Sequence, residues 1–416
     1  MSVTKDVLEY IEKGWDEITR HNPQDLGEGV TKLYGVPYPY TVPAIGFFEE
    51  LYYQDVYYTN VGLMLANRWQ LAKNNIDNIL FMIERFGWMK NSNRHFHAGC
   101  SHPPFSTIIV RQIFEHYKDK TWLYGAYHTL KKEYKFWMTK RMSPIGLNMY
   151  GGENTDKTEE DKAKDFCDRI GGKPEGLSNK RLVEEYMIFC ECGQDANPRW
   201  GFDGIHTVQV DLNCLLYAFE QNMAYFCEIL QNGEQARWYE ASQNRKELMD
   251  KYLLCEEGYY TDYNFKKQVH TKIFSCSNFF ALLCKVADKK MAETLLKNLC
   301  RLEKPFGLTA CENNEYVDKY TLQWNYPMMW SGQHEIVLGG LLNYGYTEKA
   351  KELCKKYVDT VSKNFKATGR LWEKYNAIDG SLDVTNEYVT DDDTMPCQFD
   401  STAATFLTSL HCLGEL

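Results

Sequence analysis

Apolar residues recur along most of the chain at the i, i+3, i+4, i+7 spacing that lines one face of an α-helix. Across 61–86 the stripe is Val61, Leu65, Trp69, Ala72, Ile76, Leu80 and Ile83, and Gly87 follows where a helix C-cap is expected. Across 210–231 it is Leu212, Leu215, Leu216, Phe219, Met223, Cys227 and Leu230, ending before Gly233. Across 347–365 it is Ala350, Leu353, Cys354, Tyr357, Val361 and Phe365, stopped near Gly369. The same pattern predicts helices over 3–20, 105–118, 121–141, 234–254, 275–286, 289–301, 331–345 and 401–413, and period-two alternation with hairpin turns is nearly absent. Segments 105–118 and 121–141, 210–231 and 234–254, and 331–345 and 347–365 are joined by links short enough to force antiparallel neighbours. Neither a composition shift nor a fixed-period repeat divides the chain, so one all-α domain over 1–416 is expected. The segment 142–180, rich in Gly, Lys, Asp and Glu, breaks the pattern and reads as a loop insertion over one face.

Composition narrows the class. At 416 residues, with 44% hydrophobic and 25% charged positions, the chain can bury a large core without disulfides or metals. Its 47 basic against 57 acidic residues give a net charge of −10 with no basic block, which argues against a nucleic-acid surface. The longest apolar runs, such as Ile79–Ile83, are too short to span a bilayer, and the first residues lack an apolar signal core; a cytoplasmic protein is expected. The 14 cysteines form no C-x2-C pair and read as reduced thiols in the core. The 29 tyrosines and 10 tryptophans suit both helix packing and stacking on sugar rings.

Polar and aromatic residues gather in six stretches before or between the predicted helices. They are 47–55 (Phe-Phe-Glu-Glu-Leu-Tyr-Tyr-Gln-Asp), 91–94 with 102–105, 191–200 followed by 210–213, 323–330, 372–376 and 399–404. In a closed ring of helices these stretches could meet at one rim, with carboxylates for hydroxyl binding and acid/base work and rings for stacking.

These segments, in this order, resemble the trehalases of glycoside hydrolase family 37 and the α-glucosidase-like family 63, which includes glucosylglycerate and mannosylglycerate hydrolases. The family tract R-E-x-Y-Y-W-D resembles 48–55, P-N-G-N-R…S-Q-P-P resembles 91–104, and E-S-G-W-D-F-S-x-R-W resembles 191–200. Q-W-D-x-P-x-x-W resembles 323–330, E-K-Y-D resembles 373–376, and the F-S-W-T-A-A of family 63 resembles 399–404. The resemblance implies an (α/α)6 barrel, a small carbohydrate substrate, no cofactor, and inversion by one carboxylic acid and one carboxylate. Asp195 matches the general acid and Glu373 the general base, with Glu387 a second candidate base and otherwise a substrate contact. Phe48, Glu50, Tyr52, Gln54, Asp55, Asn91, His102, Arg199 and Trp324 fall at the positions that line the sugar.

The departures bear on specificity. Gln54 and Gln194 stand for tryptophans, Asn325 for an aspartate, an aromatic near Phe47 and Cys100 for arginines, and His102 for a glutamine. Loss of cations that hold hydroxyls predicts a pocket less suited to trehalose than to another α-glycoside. A catalytically weakened carbohydrate-binding protein on the same fold is the alternative. The run His95-Phe96-His97-Ala98-Gly99-Cys100-Ser101-His102 invites a metal, but structural zinc sites draw ligands from separated segments, so these side chains read as pocket or loop.

Overall fold

The structure, a computed structural model, describes residues 3–384, 395, 397 and 400–416. In chain order the helices are α1 (Val3–Glu17), α2 (Tyr53–Leu65), α3 (Trp69–Phe86), α4 (Ser106–Tyr117), α5 (Lys120–Lys140), α6 (Glu159–Arg169) and α7 (Asn179–Cys192). There follow α8 (Val210–Leu230), α9 (Gln235–Tyr252), α10 (Phe280–Leu283), α11 (Lys289–Asn298), α12 (Ser331–Asn343), α13 (Thr347–Thr368) and α14 (Asp400–Leu413). Strands among the described residues are two or three residues long, and Met328–Trp330 pairs antiparallel with Lys374–Asn376.

Packing closes a ring. Helix α2 contacts α4, α4 contacts α8, and the chain of contacts runs on through α10, α12 and α14 back to α2. Outside it, α3 packs on α2 and α4, α5 on α4 and α8, α9 along α8, and α13 on α12 and α14. This is the expected (α/α)6 barrel. Which helices lie inside follows from their sequences. Helix α14 buries eight consecutive residues from Asp400 to Leu407, and α2 buries Val56 through Asn60, so both are enclosed on every side. Outer helices α3 and α13 bury only a stripe, with Ala72, Ile76, Leu80 and Ile83 on one and Ala350, Leu353, Tyr357 and Val361 on the other. Gly62 permits a close inner approach, since a Cβ there would lie 2.8 Å from the Ala404 Cα of α14.

Three expectations are corrected. The single stripe over 61–86 spans two helices, because Asn67 takes a left-handed φ of +58° and turns the chain from the inner to the outer layer. The segment 142–180 is not only loop. Thr158 caps α6, whose first turn holds Glu159, Glu160 and Asp161, acids that suit the positive end of a helix. Helix α6 then packs against α7, which Ser178 caps. Finally, 275–286 is a 3-10 turn, Cys276–Phe279, running into the single-turn α10.

Candidate active site

The polar-aromatic stretches meet where the inner helices begin. Residues 51–53 run beside 91–93: Tyr53 N donates to Asn91 O at 2.9 Å, Asn93 N to Leu51 O at 3.2 Å, and Leu51 N to Asn93 Oδ1 at 2.8 Å. That pairing sets Gln54 and Asp55, in the first turn of α2, beside His102. The Gln54 backbone N–H faces His102 Nδ1 at 3.4 Å, and Asn91 Nδ2 contacts the other ring nitrogen while donating to Cys190 O at 3.0 Å. Burial holds His102 at a pKa of about 3, so its ring is neutral and no proton donor near neutral pH. The Gln54 side chain donates to Gly193 O at 3.3 Å. Gly193 is left-handed at φ +65°, which favours glycine, and a Cβ on it would fall 2.1 Å from Gln54 Oε1 and displace that side chain.

Gln194 ties three more segments together. It exchanges hydrogen bonds with Ser277 Oγ at 3.0 and 3.1 Å, and its Oε1 accepts from Asn197 Nδ2 at 3.2 Å and from Gln333 Nε2 of α12 at 3.3 Å. Next to it Asp195, with its side chain 27% exposed, accepts from Arg169 Nη2 at 2.7 Å. Arg169 closes α6 and also donates to Tyr186 OH at 3.2 Å. The 142–180 segment thus delivers a cation to the candidate acid, a role that no spacing in the sequence announced.

Glu373 is 4% exposed and ion-pairs through Oε2 with Lys374 Nζ at 3.0 Å. Lys374 also donates to Gln323 Oε1 at 2.9 Å, and Trp330 Nε1 to Gln323 O at 2.8 Å. Trp324 stacks on Trp330 with ring centroids 3.9 Å apart, which fixes this wall. At the start of α14, Asp400 accepts from Thr59 Oγ1 at 3.0 Å, and Thr402 donates to Trp372 O at 2.8 Å. Asp400 joins the site although the sequence placed it only within a tract.

Asp55 connects these groups. Its carboxyl is pushed well above the usual carboxylate range, first by burial, then by the charge of Asp400, with Glu373 and Asp195 also raising it. Asp400, Glu373 and Asp195 therefore each lie within electrostatic reach of Asp55. The N-termini of α2 and α14, on which Asp55 and Asp400 stand, offset part of that charge.

Other sequence candidates sit further back. Arg199 is buried, bound to Asp211 at 2.8 Å and Asp262 at 3.2 Å, so its guanidinium fastens the start of α8 instead of facing outward. Glu50 is held by Arg94 at 2.7 Å and Tyr52 OH at 3.2 Å, and Tyr52 meets Phe48 edge to face at 5.9 Å; these three and Arg94 form one half-buried cluster. Asn325 accepts from Asn314 Nδ2 at 2.6 Å and Tyr326 N at 2.8 Å, bracing its own turn. The His95–His102 run is drawn apart, with His95 on Tyr34 OH at 2.6 Å and Cys100 toward Met187 O at 3.5 Å. Among the described residues no group of three His, Cys, Asp or Glu could hold a metal ion, and no helix is long and apolar enough to cross a membrane. Glu387 lies outside the described residues.

Residues 2–171 and 185–392 match the trehalase family. The cytosolic neutral trehalase of Kluyveromyces lactis is 30% identical over 392 residues, covering 83% of this chain and 52% of the relative. The chain spans about half the length of the fungal trehalases it matches. Among solved structures, neutral trehalase Nth1 from Saccharomyces cerevisiae superposes with a TM-score of 0.75 at 25% identity, over 97% of this chain and 79% of that one. A family 63 mannosylglycerate hydrolase from Thermus thermophilus shares the fold, with a TM-score of 0.65 at 13% identity over 96% of this chain and 99% of that one.

Proposed function

The chain belongs to the trehalase family, and from that premise we propose that it hydrolyses a small α-linked glucoside with inversion, trehalose being the first to test. The observation that carries this reading is the gathering of Asp195 and Glu373 around Asp55, with one cation on each. In the reaction, Glu373 takes a proton from water, whose oxygen forms a bond to the anomeric carbon from the face opposite the leaving group. The glycosidic bond breaks as Asp195 gives its proton to the leaving oxygen. Lys374 Nζ, 3.0 Å from Glu373 Oε2, holds the side chain of the proposed base in place. Asp55, its carboxyl pushed up by burial and by the charge of Asp400, stands in the first turn of α2 within electrostatic reach of both Glu373 and Asp195.

Arg169 changes the specificity argument. The arginine tract falls at Cys100, which is buried, but Arg169 returns a cation to the site from a different element. Trehalose therefore regains its standing against other α-glycosides. The same contact favours a second reading, because the Arg169 guanidinium occupies the Asp195 carboxyl oxygen at 2.7 Å, the group that would have to face the leaving oxygen. If sugar binding does not draw Arg169 away, the protein binds carbohydrate without cleaving it.

One experiment separates these readings: incubation of the full chain with trehalose and a panel of α-glucosides, α-mannosides and α-galactosides, with anomers followed by NMR. Hydrolysis with inversion releases α- and β-glucose from trehalose in equal early amounts. Early α-glucose alone means retention and removes the proposed mechanism; no release from any glycoside leaves the binding reading. A cytoplasmic setting is part of the proposal, supported by fourteen free thiols.

A further inference from the structure

Asp195 stands in a tight turn that its own residues do not favour. Helix α7 ends at Cys192, and Gly193 follows in the left-handed region. Asn197 N then donates to Gln194 O at 3.1 Å, which closes a four-residue turn over 194–197. Asp195 and Ala196 are its central residues, and Ala196 takes a left-handed φ of +57°. A Cβ crowds the neighbouring carbonyl oxygen there, so glycine or asparagine is the usual occupant. Alanine keeps such a backbone only where its surroundings over-determine it. The far end is anchored by Asn197, whose Oδ1 accepts from Arg199 N at 3.1 Å at the head of the 3-10 turn Pro198–Trp200.

The near end is held by the Gln194 side chain, which is 5% exposed. Its Oε1 accepts from Asn197 Nδ2 at 3.2 Å and from Gln333 Nε2 of α12 at 3.3 Å, and its Nε2 donates to Ser277 Oγ at 3.0 Å. Turning the amide over would set its NH2 against two others, so these neighbours also fix which way it points. The bond to Asn197 repeats the backbone bond and clasps the two ends of the turn. Ser277 and Gln333 tie that clasp to two other elements, the 3-10 turn Cys276–Phe279 and α12. Gln333 keeps its own Oε1 buried without a hydrogen bond among the described residues. A buried polar group left half-satisfied calls for a reason, and the bond to Gln194 supplies one. The arrangement is particular to this chain. Gln194 stands where the resemblance has a tryptophan, and an indole, with one N–H donor and no acceptor, could not accept from Asn197 and Gln333.

We propose, on the reading of Asp195 as the general acid, that Ser277 and Gln333 are positioning residues that act through Gln194 to hold the turn presenting Asp195 to the leaving oxygen. Proton transfer needs hydrogen-bond contact, and a displacement of about 1 Å at a reacting group costs up to about a hundredfold in rate. The test compares two substrates that ask different things of the acid. An unactivated α-glucoside, trehalose first, leaves through a sugar oxygen that must be protonated. In α-glucosyl fluoride the departing fluoride is a weak base and needs no proton from a carboxyl. Ser277→Ala and Gln333→Leu, assayed in the full chain, should each lower kcat on the unactivated glucoside at least tenfold, with KM and the kcat on the fluoride within about twofold of the parent. A merely structural role lowers both substrates together. Ser277→Ala removes a single oxygen and decides alone should Gln333→Leu not fold. Equal losses on both substrates, or parental rates on the unactivated glucoside, overturn the proposal and leave the proposed hydrolysis standing. A parent chain that cleaves no unactivated α-glucoside removes the acid role of Asp195 and the positioning role with it.

Discussion

Asp195 and Arg169 meet at 2.7 Å, so substitutions at the two can be read against each other. Asp195→Asn keeps the shape and hydrogen-bonding capacity of the side chain and removes only its transferable proton. Turnover on an unactivated glucoside should fall by about 10²–10⁴-fold with the thermal midpoint nearly unchanged; retention of more than about a tenth of kcat would take the acid role from Asp195. Arg169→Gln probes the partner. If Arg169 holds substrate, KM for trehalose should rise at least tenfold, roughly 1.4 kcal/mol; a rise in kcat at unchanged KM would make the ion pair a brake. The base is tested separately. Glu373→Ala should be inactive with water and partly restored by azide, a nucleophile that needs no deprotonation. Rescue of Glu387→Ala in its place would exchange the two roles. The sequence offers Asp195 and Glu373 as candidates because their tracts, 191–200 and 373–376, resemble those of the family. It could not locate Arg169, whose tie to Asp195 spans 26 residues and depends on α6 folding back over the site.

Helix boundaries separate what periodicity reveals from what it hides. The outer helices α5, α9 and α13 follow their stripes within a few residues, because one wet and one buried face leave a clear period, and the inner α4, α8 and α14 do so as well. The enclosed α2 and α14 carry polar residues such as Thr59, Asn60, Thr402 and Thr405 where a stripe would demand apolar ones, yet the expected helix 401–413 still falls within a residue of α14. Asn67 shows the limit: the apolar register runs unbroken through a chain reversal, since both helices face the same core. Two glycines distinguish packing from chemistry at this scale. A methyl on Gly62 meets the backbone of α14, which cannot swing aside, so Gly62→Ala should cost about 1–3 kcal/mol in denaturant unfolding. A methyl on Gly193 meets the end of the Gln54 side chain, which can move. Gly193→Ala should therefore cost about 1 kcal/mol for its left-handed backbone and a larger factor in kcat/KM, as Gln54 swings into the site. Equal effects of the two variants on stability, with activity intact, would contradict this division.

Packing two layers of helices leaves several carboxyls in a dry interior, and three of them titrate near neutrality. Glu133 of α5, Glu185 of α7 and Glu335 of α12 are each raised by burial to about 7. Glu133 accepts from Tyr53 OH at 2.6 Å and Ser106 Oγ at 2.5 Å, joining the starts of α2 and α4, and no cation compensates it among the described residues. An acid whose folded pKa lies above its unfolded value near 4.5 binds more protons when folded between those two pH values. Its stabilisation is fully present below about 4.5 and is lost as pH rises through about 7. At 1.36 kcal/mol per unit, each such group changes stability by up to roughly 3 kcal/mol across that window. Acids held below their usual range by cations, such as Asp25 beside Arg85, act in the opposite sense and withdraw stability as pH falls through the lower range. Unfolding free energy in urea should therefore be highest on the acid side of neutrality and decline from pH 5 to pH 7.5. Glu133→Gln removes one titration while keeping a hydrogen-bonding group, so its decline should be shallower than that of the parent. A parent protein whose stability rises over that interval, or a Glu133→Gln variant with the full parental slope, would show that these buried carboxyls are charged in the folded state.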